Sequence, residues 1–330
     1  MPELAGRIAD AFEARIREQE ETWLSPLAVR SYESRGRGAE EDECGLRTPF
    51  QRDRDRIVHS KSFRRLKHKT QVFIDPKGDH YRTRLTHTLE TAGISRTVAR
   101  ALRLNEDLTD AIALGHDLGH PPFGHTGEEI LDEVVFERYG RRFRHNEQSL
   151  RVVDVLEKDG RGLNLTEEVR DGVLRHTGPG DPATLEGKIV RLVDRVAYIN
   201  HDIDDALRAG ILAHEDLPQE ELELLGESGA RRIDRLVHDI VESSADASDI
   251  VQSDEIGRAM LNLRAFMFER VYLGPAAQKQ RDTATATVRR IFAHLVEHPE
   301  DLPEGRPGDV SEQVTDYIAG MTDRFALAWH

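Results

Sequence analysis

The densest chemistry in the chain lies at residues 116–129, His-Asp-Leu-Gly-His-Pro-Pro-Phe-Gly-His-Thr-Gly-Glu-Glu. Three histidines and three acidic residues stand there among prolines and glycines, directly after the apolar stretch 111–114. An apolar helix that ends in His116-Asp117 delivers an imidazole and a carboxylate together at a buried terminus. Neighbouring side chains diverge by roughly 100° around a helix. The pair therefore cannot share a face, but it can straddle one ion at a seam between packed helices. Pro121-Pro122 stop the helix, because proline lacks the N–H and clashes with the preceding turn. His125 and Glu128 then lie one above the other near the start of the next helix. Imidazoles and carboxylates at this density suit metal-assisted chemistry.

An ion held without thiolates needs imidazoles and carboxylates from several elements meeting at one point. The only cysteine is Cys44, so a cysteine zinc cage and an internal disulfide are both excluded. His116 and Asp117 are the first two candidate ligands. His87, in Arg84-Leu-Thr-His, belongs to the preceding helix, and an antiparallel neighbour returns it toward His116. Asp194 sits among Leu192, Val193, Val196 and Ala197; burying a carboxylate there is costly unless it is paired or bound to metal. Arg191 or Arg195 could supply the pairing instead. Two other His-Asp dipeptides occur, His201-Asp202 and His238-Asp239, the second in a polar, surface-like helix.

The elements that must position these residues read as helices almost throughout. Apolar periodicity and breaks predict helices at 3–22, 49–68, 84–103, 107–118, 126–139, 145–158, 166–176, 184–208, 218–225, 228–243, 253–272, 276–297 and 311–327. Residues 31–49, rich in glycine and acidic side chains, read as a mobile loop. Gln71-Val-Phe-Ile-Asp, Pro-Lys-Gly and His80-Tyr-Arg-Thr-Arg read as a short β-hairpin. The expected fold is all-α with that small hairpin. Its organisation is an N-terminal helix and loop at 1–49, a core at 50–210, and a helical extension packed on it at 211–330.

Bulk properties narrow the function. The 330 residues are 32% charged and 38% hydrophobic, normal for a globular chain. A net charge of −15 argues against a general affinity for nucleic acid or anionic membrane. No apolar run approaches the ~18 residues of a membrane span, and the N-terminus lacks a signal peptide's apolar segment. With one cysteine, a cytoplasmic location is expected. Eight of the fifteen histidines fall within residues 59–145, the clustering a site would produce. The basic run from Arg52 to Lys69 is either a solvated face or a collar for phosphate groups.

His87, His116-Asp117 and Asp194 form the H…HD…D pattern, and on it the chain resembles the HD-domain metal-dependent phosphohydrolases. More narrowly it resembles the deoxyguanosine triphosphate triphosphohydrolase-like dNTPases, relatives of the vertebrate SAM-and-HD-domain dNTPase. The segments that carry the likeness are 63–73, 84–87, 116–128, 143–149 and 194–202, spanning roughly residues 50–205. The resemblance implies an HD-domain helical bundle. It also implies hydrolysis of a dNTP to deoxynucleoside and inorganic triphosphate, by attack of metal-activated water at the α-phosphorus.

The same resemblance distributes the roles. His87, His116, Asp117 and Asp194 would hold one divalent ion, with Mn, Mg, Fe, Co, Ni and Zn all open and further Mg accompanying the triphosphate. His120, His125, Glu128 and His145 would be catalytic: His125 near the leaving 5′-oxygen, Glu128 orienting it, and His120 and His145 aligning nucleophile and α-phosphate. Which histidine is the general acid stays open. Arg84, Arg195 and Tyr198 would clamp phosphates. Gln71 and Asp202 would meet the sugar 3′-hydroxyl, and Tyr198 would pack where a ribose 2′-hydroxyl clashes. Expected partners are a dNTP substrate, a dNTP activator and further copies of the chain, with single-stranded nucleic acid less favoured and membrane excluded. The competing readings are another HD phosphohydrolase (monophosphate, cyclic nucleotide or guanosine tetraphosphate) and a nucleotide-sensing or nucleic-acid-binding module with vestigial activity.

Overall fold

The computed structural model describes residues 2–71, 82–305 and 307–329, apart from the side chains of residues 2–7, 275–277, 279 and 280. Its helices are α1 (Pro2–Trp23), α2 (Pro49–Val58), α3 (Lys61–Arg65), α4 (Arg84–Ala101), α5 (Glu106–Gly115), α6 (Gly124–Tyr139), α7 (His145–Arg151) and α8 (Glu167–Arg175). They continue as α9 (Leu185–Arg208), α10 (Gln219–Leu225), α11 (Gly229–Ser244), α12 (Asp254–Met267), α13 (Pro275–Glu297), α14 (Val310–Ala319) and α15 (Asp323–Ala328). Many begin where the sequence supplies a side-chain oxygen for an unpaired backbone N–H. Thr48 and Gln51 box the start of α2, Thr83 caps α4, Asn105 caps α5 and Thr184 caps α9.

Helix α5 is the axis of the arrangement. Every residue from Leu108 to Gly115 is buried, as in a helix enclosed on all sides. It packs against α2, α4, α8 and α9. Gly172 of α8 lets the two helices close up, since a Cβ there would lie 2.5 Å from Ile112 Cδ1. Ile57, Leu108, Ile112, Val169 and Val173 fill this region. A second apolar cluster joins α9 to α11 and α12 through Ile203, Leu236, Ile240 and Leu263. A third joins α6 to α13 and α14 through Ile130, Val134, Val288, Ile291 and Ile318. Residues beyond 211 thus share two of their apolar cores with residues before 210.

Several boundaries differ from the sequence expectation. The helix predicted over 49–68 breaks at His59-Ser60, where the Ser60 hydroxyl recaps the chain as α3. The one predicted over 145–158 changes after α7 to a π-turn at Val152–Leu156. The one predicted over 311–327 is interrupted at Gly320, and Thr322 recaps it. Residues 31–49 are irregular, as expected, but tied down: Arg37 pairs with buried Asp53, the Ala39 N–H donates to Asn164, and the Arg35 N–H donates to Glu168. The predicted hairpin falls on residues 72–81, outside the described residues; at its base Thr70 and Thr83 form an isolated antiparallel bridge. Among the described residues there is no β-strand and no helix long and apolar enough to cross a membrane.

Candidate active site

The end of α5 supplies the first two groups. His116 follows the last residue of that helix, and its Nδ1–H donates to the Ala113 carbonyl at 2.6 Å. This orients the ring and leaves Nε2 turned toward the site. That nitrogen is buried and without a partner among the described residues. It lies 3.4 Å from Asp117 Oδ1 and 3.6 Å from Asp194 Oδ1. His87, brought in by α4, has Nε2 3.0 Å from Asp194 Oδ1 and 3.9 Å from Asp117 Oδ2. Ligand atoms of His87, His116 and Asp194 all lie within 4.8 Å of one another. Asp194 pairs with neither Arg191 nor Arg195: Arg191 instead donates to the carbonyls of Arg175, Gly178 and Gly180.

Charge arranges itself around this cluster. Burial alone would raise Asp117, but His116, Arg84 and His87 together hold its carboxyl well below the usual range. Asp194 is likewise held low against burial, by His116 and His87 beside it. Burial would lower His116, yet the two carboxylates outweigh it and push the imidazole up to about 9. A buried imidazole that draws in a proton between two carboxylates occupies a position where a cation is favoured, and metal binding displaces that proton. Two imidazoles and two ionised carboxylates, with His116 Nε2 unbonded among the described residues, therefore fit a divalent ion once that proton is displaced.

The turn 117–124 carries the chain away from α5. Gly119 makes it possible: a Cβ there would lie 2.4 Å from the His145 carbonyl oxygen and 2.2 Å from the Ser149 nitrogen. Ser149 fastens the contact, accepting the Gly119 N–H at 2.8 Å and donating to the His116 carbonyl at 2.6 Å. The result stacks His120 on His145, with ring centres 3.8 Å apart and planes at 15°. Phe123 then takes a left-handed φ of 68° and opens α6. Glu128, one turn in, accepts both the backbone N–H and the Nδ1–H of His145 at 2.8 Å, and lies 3.8 Å from His125 Nδ1. Burial opposes its ionisation, but His145 and His125 hold it far below the carboxylate range. His120 is pushed well down by burial, then by Arg84 and the neighbouring imidazoles. His125 is the exposed member, 53% accessible at the pocket wall.

Arg84 connects the two groups. Its Nη1 donates to Asp117 Oδ2 at 2.8 Å, while Nε and Nη2 are buried without partners among the described residues. Its expected part in a phosphate clamp must therefore be shared with a bond to Asp117. Gln71 and Arg195 line the same cavity, of about 620 Å³. Tyr198 does too, its hydroxyl accepting Arg264 Nε at 2.5 Å. Asp202 is not on the cavity wall: it accepts the Tyr272 hydroxyl, and Tyr272 faces the cavity. The basic run ending at Lys69 contributes nothing to this cavity. Arg52 and Arg56 pair with Glu41, Arg54 with Asp55, Lys61 with Asp159, and Lys69 is buried. Arg52, Arg54, Arg56 and Lys61 thus have carboxylate partners, and the run supplies no phosphate collar to this cavity.

Three site residues escaped the sequence reading. His176, just beyond α8, donates from Nδ1 to the Val173 carbonyl at 2.8 Å and offers Nε2 to His145 Nε2 at 3.1 Å. Burial, with His116 and His145 beside it, lowers it to about 3. His145 thus has a partner at each ring nitrogen, Glu128 at Nδ1 and His176 at Nε2. Like His116, His176 directly follows a helix and bonds the carbonyl three residues back, but α8 is mostly charged and gives no such signal. Arg264 and Tyr272 come from α12 and the π-turn Phe268–Tyr272 that extends it. They carry no local motif.

Fold and site define a class, and the chain's relatives agree. Residues 84–199 match the HD domain, and residues 250–330 match the phosphohydrolase-associated domain. A deoxyguanosinetriphosphate triphosphohydrolase-like protein of Caldanaerobacter subterraneus subsp. tengcongensis is 56% identical over 92% of this chain and 90% of its own. Proteins of the same name are 45% identical in Desulfatibacillum aliphaticivorans (95% of each chain) and 47% in Clostridium perfringens (94% of this chain, 95% of that one). The chain belongs to this deoxyguanosinetriphosphate triphosphohydrolase-like family of HD-domain phosphohydrolases, and it is a hydrolase. The phosphohydrolase-associated match coincides with the residues that bring Arg264 and Tyr272 to the cavity.

Proposed function

We propose that the chain hydrolyses a dNTP to deoxynucleoside and inorganic triphosphate in this cavity. The observation that carries the reading is the junction of two groups in one pocket: a buried His–Asp cluster fit for a divalent ion, and a Glu128-centred set of imidazoles beside it. A bound divalent ion supplies neutralisation of phosphate charge and acidification of a water. His87, His116, Asp117 and Asp194 would hold it. Arg84 holds Asp117 in place and keeps two donors for a phosphate oxygen. His120 is kept neutral, so its free Nδ1 can accept a proton. His125, at the open wall with Glu128 behind its Nδ1, can hand a proton to the leaving 5′-oxygen. Gln71, Arg195, Tyr198 and Tyr272, with Asp202 behind Tyr272, would orient phosphates and sugar.

Product analysis tests this. The purified protein with Mn²⁺ is incubated with each dNTP singly and then with all four. Deoxynucleoside plus intact triphosphate is the expected outcome, and turnover only in the mixture would identify a dNTP as activator as well as substrate. Pyrophosphate or monophosphate products would replace the reading with another phosphohydrolase chemistry, and no turnover in any mixture would overturn it.

A further inference from the structure

The segments that present the acid–base groups meet under a fourth, residues 316–323, from the far end of the chain. Asp323, the buried first residue of α15, accepts the Phe123 N–H on one carboxylate oxygen and the Thr70 N–H on the other, each at 3.0 Å. Phe123 leads into the turn of α6 that bears His125 and Glu128; Thr70 immediately precedes Gln71. These two strands of chain touch, since a Cβ on Gly124 would lie 2.8 Å from the Gln71 carbonyl oxygen. Just before Asp323, the Ala319 carbonyl is bridged to the His120 carbonyl by buried Lys69, whose Nζ donates at 2.8 and 2.5 Å. One turn earlier still, Asp316 accepts Gln148 Nε2 at 2.8 Å, on the helix that begins with His145.

We infer that residues 316–323 are a positioning element for the acid–base group, with Asp323 its principal contact. Asp323 does not line the cavity; it acts through backbone. A carboxylate suits the task because it only accepts, has two oxygens, and makes stronger bonds to N–H groups than a neutral acceptor does. Phe123 needs such a hold, because a residue with a Cβ stays in the left-handed region only where its surroundings enforce it. Two separate stretches are thereby locked in register by one side chain, and the backbone of His120 is fixed by the next contact along.

The kinetic arm of the test rests on the proposed hydrolysis; the exchange arm does not. Asp323→Asn keeps the shape but turns an NH₂ toward one of the two N–H groups, and Asp323→Ala removes both acceptors. We expect kcat for triphosphate release to fall by up to about 10²-fold in Asp323→Ala and by less in Asp323→Asn. The fall in kcat should exceed any rise in KM, with bound metal unchanged. Amide hydrogen exchange should quicken in peptides covering 69–71 and 119–126 and stay unaltered around His87 and Asp194. An unchanged kcat, or a loss that merely follows the folded fraction, would overturn the inference. So would unchanged exchange, even if the wild-type protein released no triphosphate and the proposed function itself had failed.

Discussion

Three buried histidines around one cavity are driven to opposite charge states. His116 is pushed up to about 9, whereas His120 is pushed well down and His176 falls to about 3. Burial lowers all three, so burial is not the difference. His116 lies between the carboxylates of Asp117 and Asp194, whereas His120, though its Nε2 is also 3.4 Å from Asp117 Oδ1, has Arg84 and three further imidazoles beside it. Arg84 sets the boundary: it satisfies Asp117 on one side and repels protons from His120 on the other. The Asp117–Asp194 side favours a cation, whereas His120 and His176 are kept neutral.

The largest effect should come from breaking the cation side. Asp117→Ala removes a proposed ligand and strands the buried Arg84, a loss worth about 3–5 kcal/mol for a broken buried pair. Metal content and triphosphate release should both fall to background, alongside a lower melting temperature. Full turnover by the metal-stripped variant would dissolve the distinction between the two sides. Next, His125→Ala should leave metal and substrate binding in place and slow turnover by roughly 10²–10⁴-fold, the range for a lost proton donor. An unchanged turnover number would remove His125 from the acid–base group. His176→Phe is a finer probe, because His176 touches both sides: its ring lies 5.0 Å from that of His116 and its Nε2 meets His145. A fall in kcat of about 10-fold with metal retained is expected for a lost supporting hydrogen bond. Loss of metal instead would move His176 to the cation side.

The reach of the sequence follows the same division. The cation side was legible because its constraint is local: an apolar helix must end in His116-Asp117, and Asp194 among valines needs a partner. Helices with capping residues and apolar periodicity were legible for similar reasons. The break at Ser60 was not, since a serine inside a basic, amphipathic run looks like any solvated position until its hydroxyl caps α3. The basic run was ambiguous because its partners, Glu41 and Asp159, lie elsewhere in the chain. Arg264, Tyr272 and Asp323 were invisible for the strongest version of that reason. They meet their partners across 66, 70 and 200 residues, from helices whose own pattern reports only an apolar face.

Asp202 offers a third environment, and the smallest predicted effect. Its carboxyl lacks a basic partner in direct contact: Tyr272 donates to one oxygen, and the other is buried without a partner among the described residues. Burial pushes it up to about 8; the Tyr272 bond, Arg84 and Arg82 oppose the shift, and Asp205 adds to it. At neutral pH it is therefore a neutral donor, opposite in state to Asp117. The consequence for stability has a definite sign. Below the ordinary carboxyl pKa of about 4, the folded and unfolded chains both hold the proton. Between there and about pH 8 only the folded chain holds it, so its share of stability drains away as pH rises through that window and is gone above it. Asp202→Asn, permanently neutral, should flatten this part of the melting-temperature profile between pH 5 and 8. A parallel profile in wild type and variant would mean that Asp202 is ionised in the folded protein, and that the Tyr272 side of the cavity belongs electrostatically with the cation side.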